Sequence, residues 1–144
     1  MKPGDVFWIT DSVNGKEVKH LHIVLTHPEP DSDGDLAVAV VNISTVRGSR
    51  FDKTTVLKKS DHQVFVEQQY YVAYSYANFE KVADITTKSG YASISQSLTP
   101  LIFHRVINGL FAQNGLTPED VREYCSKRVG PNPGQILDLS PPKL

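Results

Sequence analysis

The run Leu36-Ala37-Val38-Ala39-Val40-Val41-Asn42-Ile43 constrains this chain more than any other stretch. A strand sends successive side chains to opposite faces. A near-continuous apolar run can therefore be satisfied as a strand only if both of its faces are buried. The fold must cover this segment from two sides. With 144 residues, 40% of them hydrophobic and 22% charged, the chain has the length and apolar content of a domain that does so without disulfides or metal staples.

A second strand is expected over Lys19 to Thr26, where two histidines enter an apolar run. Alternation puts His20, His22, Val24 and Thr26 on one face and Leu21, Ile23 and Leu25 on the other, which reads as core. Before it, Pro3-Gly4-Asp5 turns into a strand over Val6 to Thr10, and Asp11 to Lys16 is expected as a loop around the hairpin dipeptide Asn14-Gly15. Pro28 and Pro30 stop the histidine strand, because proline cannot donate to a ladder. An acidic loop from His27 to Asp35 follows, with a turn at Asp33-Gly34. Short strands are expected at Thr54 to Leu57, Val64 to Val66 and Tyr70 to Ser75, the last with Tyr70, Val72 and Tyr74 on one face. Closely spaced short strands with turn signals point to a small barrel or sandwich.

After about Lys81 the pattern turns helical. Thr99-Pro100 offers a cap and a first helical residue, and Leu101, Ile102, Phe103, Val106, Ile107, Leu110 and Phe111 give a broad apolar face, with Gly115 as the stop. Thr117-Pro118-Glu119-Asp120 opens a second helix in the same way. The segments expected are thus a β domain over 1–85, a helical hairpin over 98–129 packed on it, and a proline-rich tail over 130–144, extended unless a partner pins it.

A formal net charge of −1 argues against attachment to nucleic acid by bulk electrostatics alone, while leaving room for a local basic patch. Cys125 is the only cysteine, so an internal disulfide and a cysteine metal cluster are both excluded. Met1-Lys2-Pro3-Gly4-Asp5 lacks the apolar run of a signal peptide, and no stretch is long enough for a membrane span. The expected location is the cytoplasm of a bacterium, the bacterial part resting on the resemblance described next.

Gly4-Asp5-Val6-Phe7-Trp8 resembles the opening strand of the PemK/MazF-like toxins of type II toxin–antitoxin systems. In the same order, His20-Leu21-His22-Ile23-Val24-Leu25-Thr26 matches that family's Arg-Pro-Val-Val-Val-Leu-Ser strand, and Val40-Val41-Asn42-Ile43-Ser44-Thr45 matches its apolar strand ending in Pro-Ile-Thr/Ser. Ser60-Asp61-His62-Gln63-Val64-Phe65 and Tyr70-Tyr71-Val72-Ala73-Tyr74 resemble two further blocks of divergent members. The resemblance implies a mainly β, α+β protein: an SH3-like barrel with two C-terminal helices, usually a homodimer. It also implies metal-independent cleavage of single-stranded RNA, without a cofactor, under the control of a cognate antitoxin protein. The family's cleaving arginine falls on His20, the proline after it on Leu21, and its Ser/Thr partner on Ser44.

Metal-free RNA cleavage needs a base for the 2′-hydroxyl, an acid for the leaving 5′-oxygen, and donors for charge building on the phosphate. Imidazole serves either proton-transfer role near neutrality, whereas arginine is a phosphate donor. His20 and His62 are accordingly expected to share the acid–base work, with Ser44 and Thr45 donating to phosphate oxygens and Arg47 or Arg50 supplying a cation. Tyr70, Tyr71, Tyr74 and Tyr76 offer stacking surfaces, of which Tyr74 is assigned to substrate. Plainer readings stand beside these: a strand histidine more often packs than reacts, His104 has no visible partner, and the tyrosines serve equally as barrel wall. A metal site would use His20-x-His22 with His62 and Asp52 or Asp61. A non-catalytic SH3-like binding module is the other alternative, since fold does not dictate function.

Overall fold

The computed structural model describes residues 1–66, 69–112 and 116–130. Their elements are strands β1 (Val6–Val13), β2 (Lys16–Val24), β3 (Glu29–Pro30), β4 (Leu36–Thr45), β5 (Val56–Leu57), β6 (Tyr70–Lys81) and β7 (Ala92–Ser93), with helices α1 (Val82–Thr87), α2 (Pro100–Leu110) and α3 (Glu119–Ser126). The strands form one antiparallel sheet in the order β5-β6-β4-β2-β1-β7, with β3 on β4, curled into a half-barrel. The protein is mainly β with a few helices, as the order of sequence patterns implies.

Asn14 and Gly15 both have positive φ, 51° and 75°, the requirement of a two-residue type I′ turn. Such a turn lets both strands run to its edge. Asp11, Ser12 and Val13 are therefore paired with Val18, Glu17 and Lys16 instead of forming the expected loop. At its other end β2 stops at Val24, and the Thr26 hydroxyl then accepts the Ala39 amide at 3.0 Å, standing in for a ladder carbonyl.

The central strand β4 is covered on both sides. On the inner face, Ala39, Val41 and Ile43 join Leu21, Ile23, Leu25, Val72 and Tyr74 in a core closed by α2 (Phe103, Val106, Ile107, Leu110) and α3 (Val121, Cys125). On the outer face, Val38 and Val40 pack with Phe7, Ile9 and Val24 under Ile85 of α1. The helices beyond residue 98 thus share one core with the sheet, and the chain returns to β1 through β7 before entering them. Val64 to Val66 forms no strand: Val64 ends a turn, and Phe65 and Val66 follow it without regular structure.

Between its two pairings with β4, strand β6 carries an irregularity: Asn42 faces Ala73 and Val40 faces Asn78, so Tyr74 to Ala77 bulge opposite Val41. Thr99 caps α2 through the Ile102 amide, as expected. Thr117 does not cap α3; Pro118 holds that position, and the Thr117 hydroxyl donates instead to the Leu110 carbonyl at 2.8 Å, tying the end of α2 to the start of α3. Gly115 and the tail over 131–144 lie outside the described residues.

Gly109 marks the closest approach of α2 to the sheet. A Cβ there would lie 2.1 Å from Tyr74 Oη and 2.4 Å from Thr55 Oγ1, both buried and bonded to each other. Helix propensity favours Gly→Ala by about 1 kcal/mol, but the clash reverses the sign. Gly109→Ala is expected to destabilise by about 2 kcal/mol or more, measured as a lowered urea midpoint, while Asn108→Ala on the exposed side of α2 leaves the midpoint unchanged or raised.

Candidate functional site

The cover supplied by α1 reaches only part of the outer face. Residues paired across a ladder share a face, and the pairs His22↔Asn42↔Ala73 and Ser44↔Tyr71 continue that face past Val24 and Val40. Extending the β2–β4 register one step beyond Leu21↔Ile43 sets His20 opposite Ser44. Both are half-buried and reachable from solvent. That continuation turns the imidazole and hydroxyl singled out in the sequence toward one face, one step past the last ladder pair and at the edge of the covered region.

His20 has a partner absent from the sequence reading. Asp11 lies on the same face of β1, two residues past Ile9, which pairs with His20. Its Oδ2 is 3.7 Å from His20 Nε2, with both side chains partly open to solvent. The hairpin turn makes this pair, because it draws Asp11 into the ladder. Beyond Ser44, Tyr71 packs its ring against Phe51 at 5.5 Å, and Lys53 Nζ lies 5.6 Å from the Phe51 ring centre. Arg47 and Arg50 are exposed on the same connecting loop, and no ion pair engages either among the described residues. The β4–β5 loop thus brings two rings and one cation, Lys53, together beside Tyr71 and carries two further exposed arginines.

The other assigned residues are not brought to this face. Thr45 follows Ser44 and alternation turns it toward the inner side, where it pairs with Tyr70. Tyr74 is buried in the inner core, its hydroxyl donating to the Val106 carbonyl at 2.6 Å and 2.7 Å from Thr55 Oγ1. Burial pushes that hydroxyl's pKa well up, so Tyr74 is a core pin and not a stacking platform. His62 also belongs to the inner side, edge-on to Phe65. Its Nδ1 accepts the Val64 amide at 3.0 Å, which leaves Nε2 to carry the proton and donate to the Gln96 carbonyl at 2.7 Å. With both nitrogens engaged and 7% exposure, His62 fastens the 60s turn to the 92–98 segment and has no atom left for substrate.

His22 lies between these cases. Its ring stacks on Phe7 at 5.0 Å with planes 7° apart, and Nδ1 is buried without a hydrogen-bond partner. Desolvation lowers its pKa, against an opposing pull from the Glu80 carboxylate, so the ring is held neutral. His104 is half-buried on α2. The residues of the metal alternative are not assembled: Asp61 accepts from Arg105 and from the Lys58 amide, Asp52 caps Thr54, and His62 is bonded as described. The carboxylates that do converge, Asp31, Asp33 and Asp35, lie within 4.8 Å of one another and surround the Lys81 ammonium. Among the described residues no helix is long and apolar enough to cross a membrane.

Because the folded state holds His22 at a lower pKa than the unfolded chain, the unfolded chain binds more protons as pH drops, and stability falls with it. The contribution is complete above the unfolded value of about 6.5 and is lost as pH falls from there through the folded value. The wild-type urea midpoint is expected to drop between about pH 7.5 and about pH 5.5 more steeply than that of His22→Phe, which keeps a ring on Phe7 but has nothing to protonate; parallel profiles would refute this.

Comparison with models of known families, with curated proteins and with solved structures returns no match to this chain.

Proposed function

We propose that the uncovered part of the outer face binds single-stranded RNA and cleaves it without a metal, in the manner of a PemK/MazF-like toxin built on an SH3-like barrel. What supports this reading is the His20–Asp11 pair on the outer face, with the β2–β4 register, continued one step past Leu21↔Ile43, directing His20 toward Ser44, and the Phe51–Tyr71 rings with Lys53 beyond. Aromatic faces between cations are what an unpaired strand needs, since bases stack and phosphates pair with the charges.

The chemistry falls to one imidazole, because His62 is occupied on the other side of the sheet. Neutral His20 takes the proton of a 2′-hydroxyl while that oxygen attacks the adjacent phosphorus. The bond from phosphorus to the 5′-oxygen breaks, and the His20 imidazolium returns the proton to that oxygen. The products are a 2′,3′-cyclic phosphate and a free 5′-hydroxyl. Asp11 steadies the imidazolium between the two transfers and orients the ring. Ser44 donates to a non-bridging oxygen, where charge builds, and Arg47 or Arg50 adds a cation there. Tyr71 and Phe51 replace Tyr74 as the base platform. A homodimer, and inhibition by a separate antitoxin chain, go with this reading through the family resemblance.

Purified protein incubated with mixed RNA in chelator is expected to release fragments with cyclic-phosphate ends. His20→Ala should lower the cleavage rate by about 10²–10⁴ while shifting the urea midpoint little, as for a partly exposed side chain. Ser44→Ala should lower it by about tenfold or more. His62→Ala should do the reverse, costing about 1–3 kcal/mol of stability while the folded fraction keeps its rate. Absence of cleavage by the wild type, or undiminished cleavage by His20→Ala, overturns the reading.

A further inference from the structure

A second concavity lies at the far end of β4, between the β3–β4 connection, the end of β6 and α3. It encloses about 350 Å³ and is mostly apolar, with Pro30, Ala37, Phe79 and Tyr124 among its walls. Phe79 pairs with Ala39 and so belongs to the inner side, where the core runs out. Its ring meets that of Tyr124 edge to face at 5.0 Å and remains 38% exposed, a large apolar side chain on a strand without a full cover.

Charges at the rim are already matched. Lys81 lies among Asp31, Asp33 and Asp35, Arg128 binds Glu29 while covering the Tyr124 ring, and Glu80 is turned to Lys88 on the other side of the sheet. A charged occupant would have to compete with these pairs. An apolar one gains by taking the remaining ring and aliphatic surface out of water. The pocket therefore suits apolar side chains on an uncharged backbone.

The chain itself carries such a segment to the spot. Tyr124 of α3 lines the pocket, and beyond the helix the Val129 amide still bonds to the Cys125 carbonyl at 2.8 Å. Gly130 is buried, and a Cβ on it would lie 2.6 Å from the Ser126 carbonyl oxygen, so the chain is held against the end of α3 where the described residues stop. Tyr124 to Gly130 spans about 9 Å at helical rise. The residues that follow, 131–144, hold one apolar cluster, Ile136-Leu137-Asp138-Leu139, and one charged side chain of each sign, Asp138 and Lys143. Residues 131–135 reach up to about 17 Å when extended, enough to return from Gly130 to the Phe79–Tyr124 pair. A tether that short holds the segment at an effective concentration of about millimolar.

We infer that residues 136–139 dock in this pocket, with Leu137 and Leu139, which alternation puts on one side of an extended segment, against Phe79 and Tyr124 and with Asp138 turned to solvent. The partner needed to pin the tail is then the chain's own pocket. The inference is independent of the RNA reading: the pocket lies at the opposite end of β4 from Ser44 and uses none of the residues assigned to cleavage.

The test follows the full chain by NMR with labelled methyl groups and rings. Cross-relaxation is expected from the Leu137 and Leu139 methyls to the ring protons of Phe79 and Tyr124, at the same relative strength after about tenfold dilution, because the contact lies within one chain. Leu137→Ser with Leu139→Ser, outside the core, should abolish it and shift the amide resonances of Ala37, Phe79 and Tyr124, whereas Ser140→Ala should leave both in place. Phe79→Ala should likewise release the segment, read as a loss of the heteronuclear NOE at the amides of residues 136–139. No methyl-to-ring contact in the wild type, contacts that weaken on dilution and so come from a second copy, or pocket amides unmoved by the double leucine variant would each overturn the assignment.

Discussion

Everything in this molecule depends on covering β4 from two sides. Val38, Ala39, Val40 and Val41 are each 0–1% exposed, and every valine so buried contributes about 1.5–3 kcal/mol relative to leaving it in water. The inner cover is large, two helices seated in the curl of the sheet. The outer cover is small, the short helix α1 with Tyr91, Val82 and Met1 around it. A helix of six residues cannot span a ten-residue strand crossed by three others. Where it ends, the outer face passes from Val40 and Val24 to Asn42, His22, Ser44 and His20, and the apolar run gives way to groups that tolerate water. The candidate site is therefore a boundary effect, the part of a two-sided sheet that its second cover does not reach.

Three histidines show how position on that boundary decides chemistry. His62 has both ring nitrogens bonded to backbone and is held as one tautomer. His22 is buried with an orphan nitrogen and a ring on its face, so charge is expelled from it. Of the three, His20 alone combines access to solvent with a carboxylate at 3.7 Å. An acid–base residue must gain and lose a proton without unfolding its surroundings. The first loses two hydrogen bonds if it moves and the second resists protonation, which is why the proposed acid–base role is assigned to the third.

Alternation made much of this legible in the sequence. The core set Leu21, Ile23 and Leu25, the doubly buried run in β4, the Asn14-Gly15 turn and the Thr99 cap all follow from local rules and are found as expected. The misreadings share a cause, which is that partners distant in sequence overrode the local signal. Thr117 has the composition of a cap but finds the Leu110 carbonyl. Asp61-His62 looks like a reactive loop but meets Gln96, thirty-four residues away. Tyr74 and Tyr71 differ by three positions, and the alternation that put Tyr70, Val72 and Tyr74 together already assigned Tyr71 to the opposite, half-open face. Asp11 was legible too, had the two-residue turn been taken to its consequence: an I′ turn at Asn14-Gly15 forces the strands to pair up to it. The short pieces α1 and β7 carry too few residues to leave a periodic trace.

The two openings of this fold occupy the two ends of the same strand. Ala37 in the pocket wall and Ser44 on the outer face are seven residues apart on β4, roughly 23 Å along an extended chain. The doubly covered valines lie between them. Close-packed interiors resist continuous deformation, and sites so far apart with no shared partner ordinarily behave additively. The buried middle of β4 thus has two consequences at once. It fixes the register that, continued one step, directs His20 toward Ser44 at one end, and it separates that edge from the pocket between Ala37, Phe79 and Tyr124 at the other. Glu80 lines the pocket through part of its side chain, while its ion pair with Lys88 and its pull on the His22 proton turn its carboxylate to the outer side of β6.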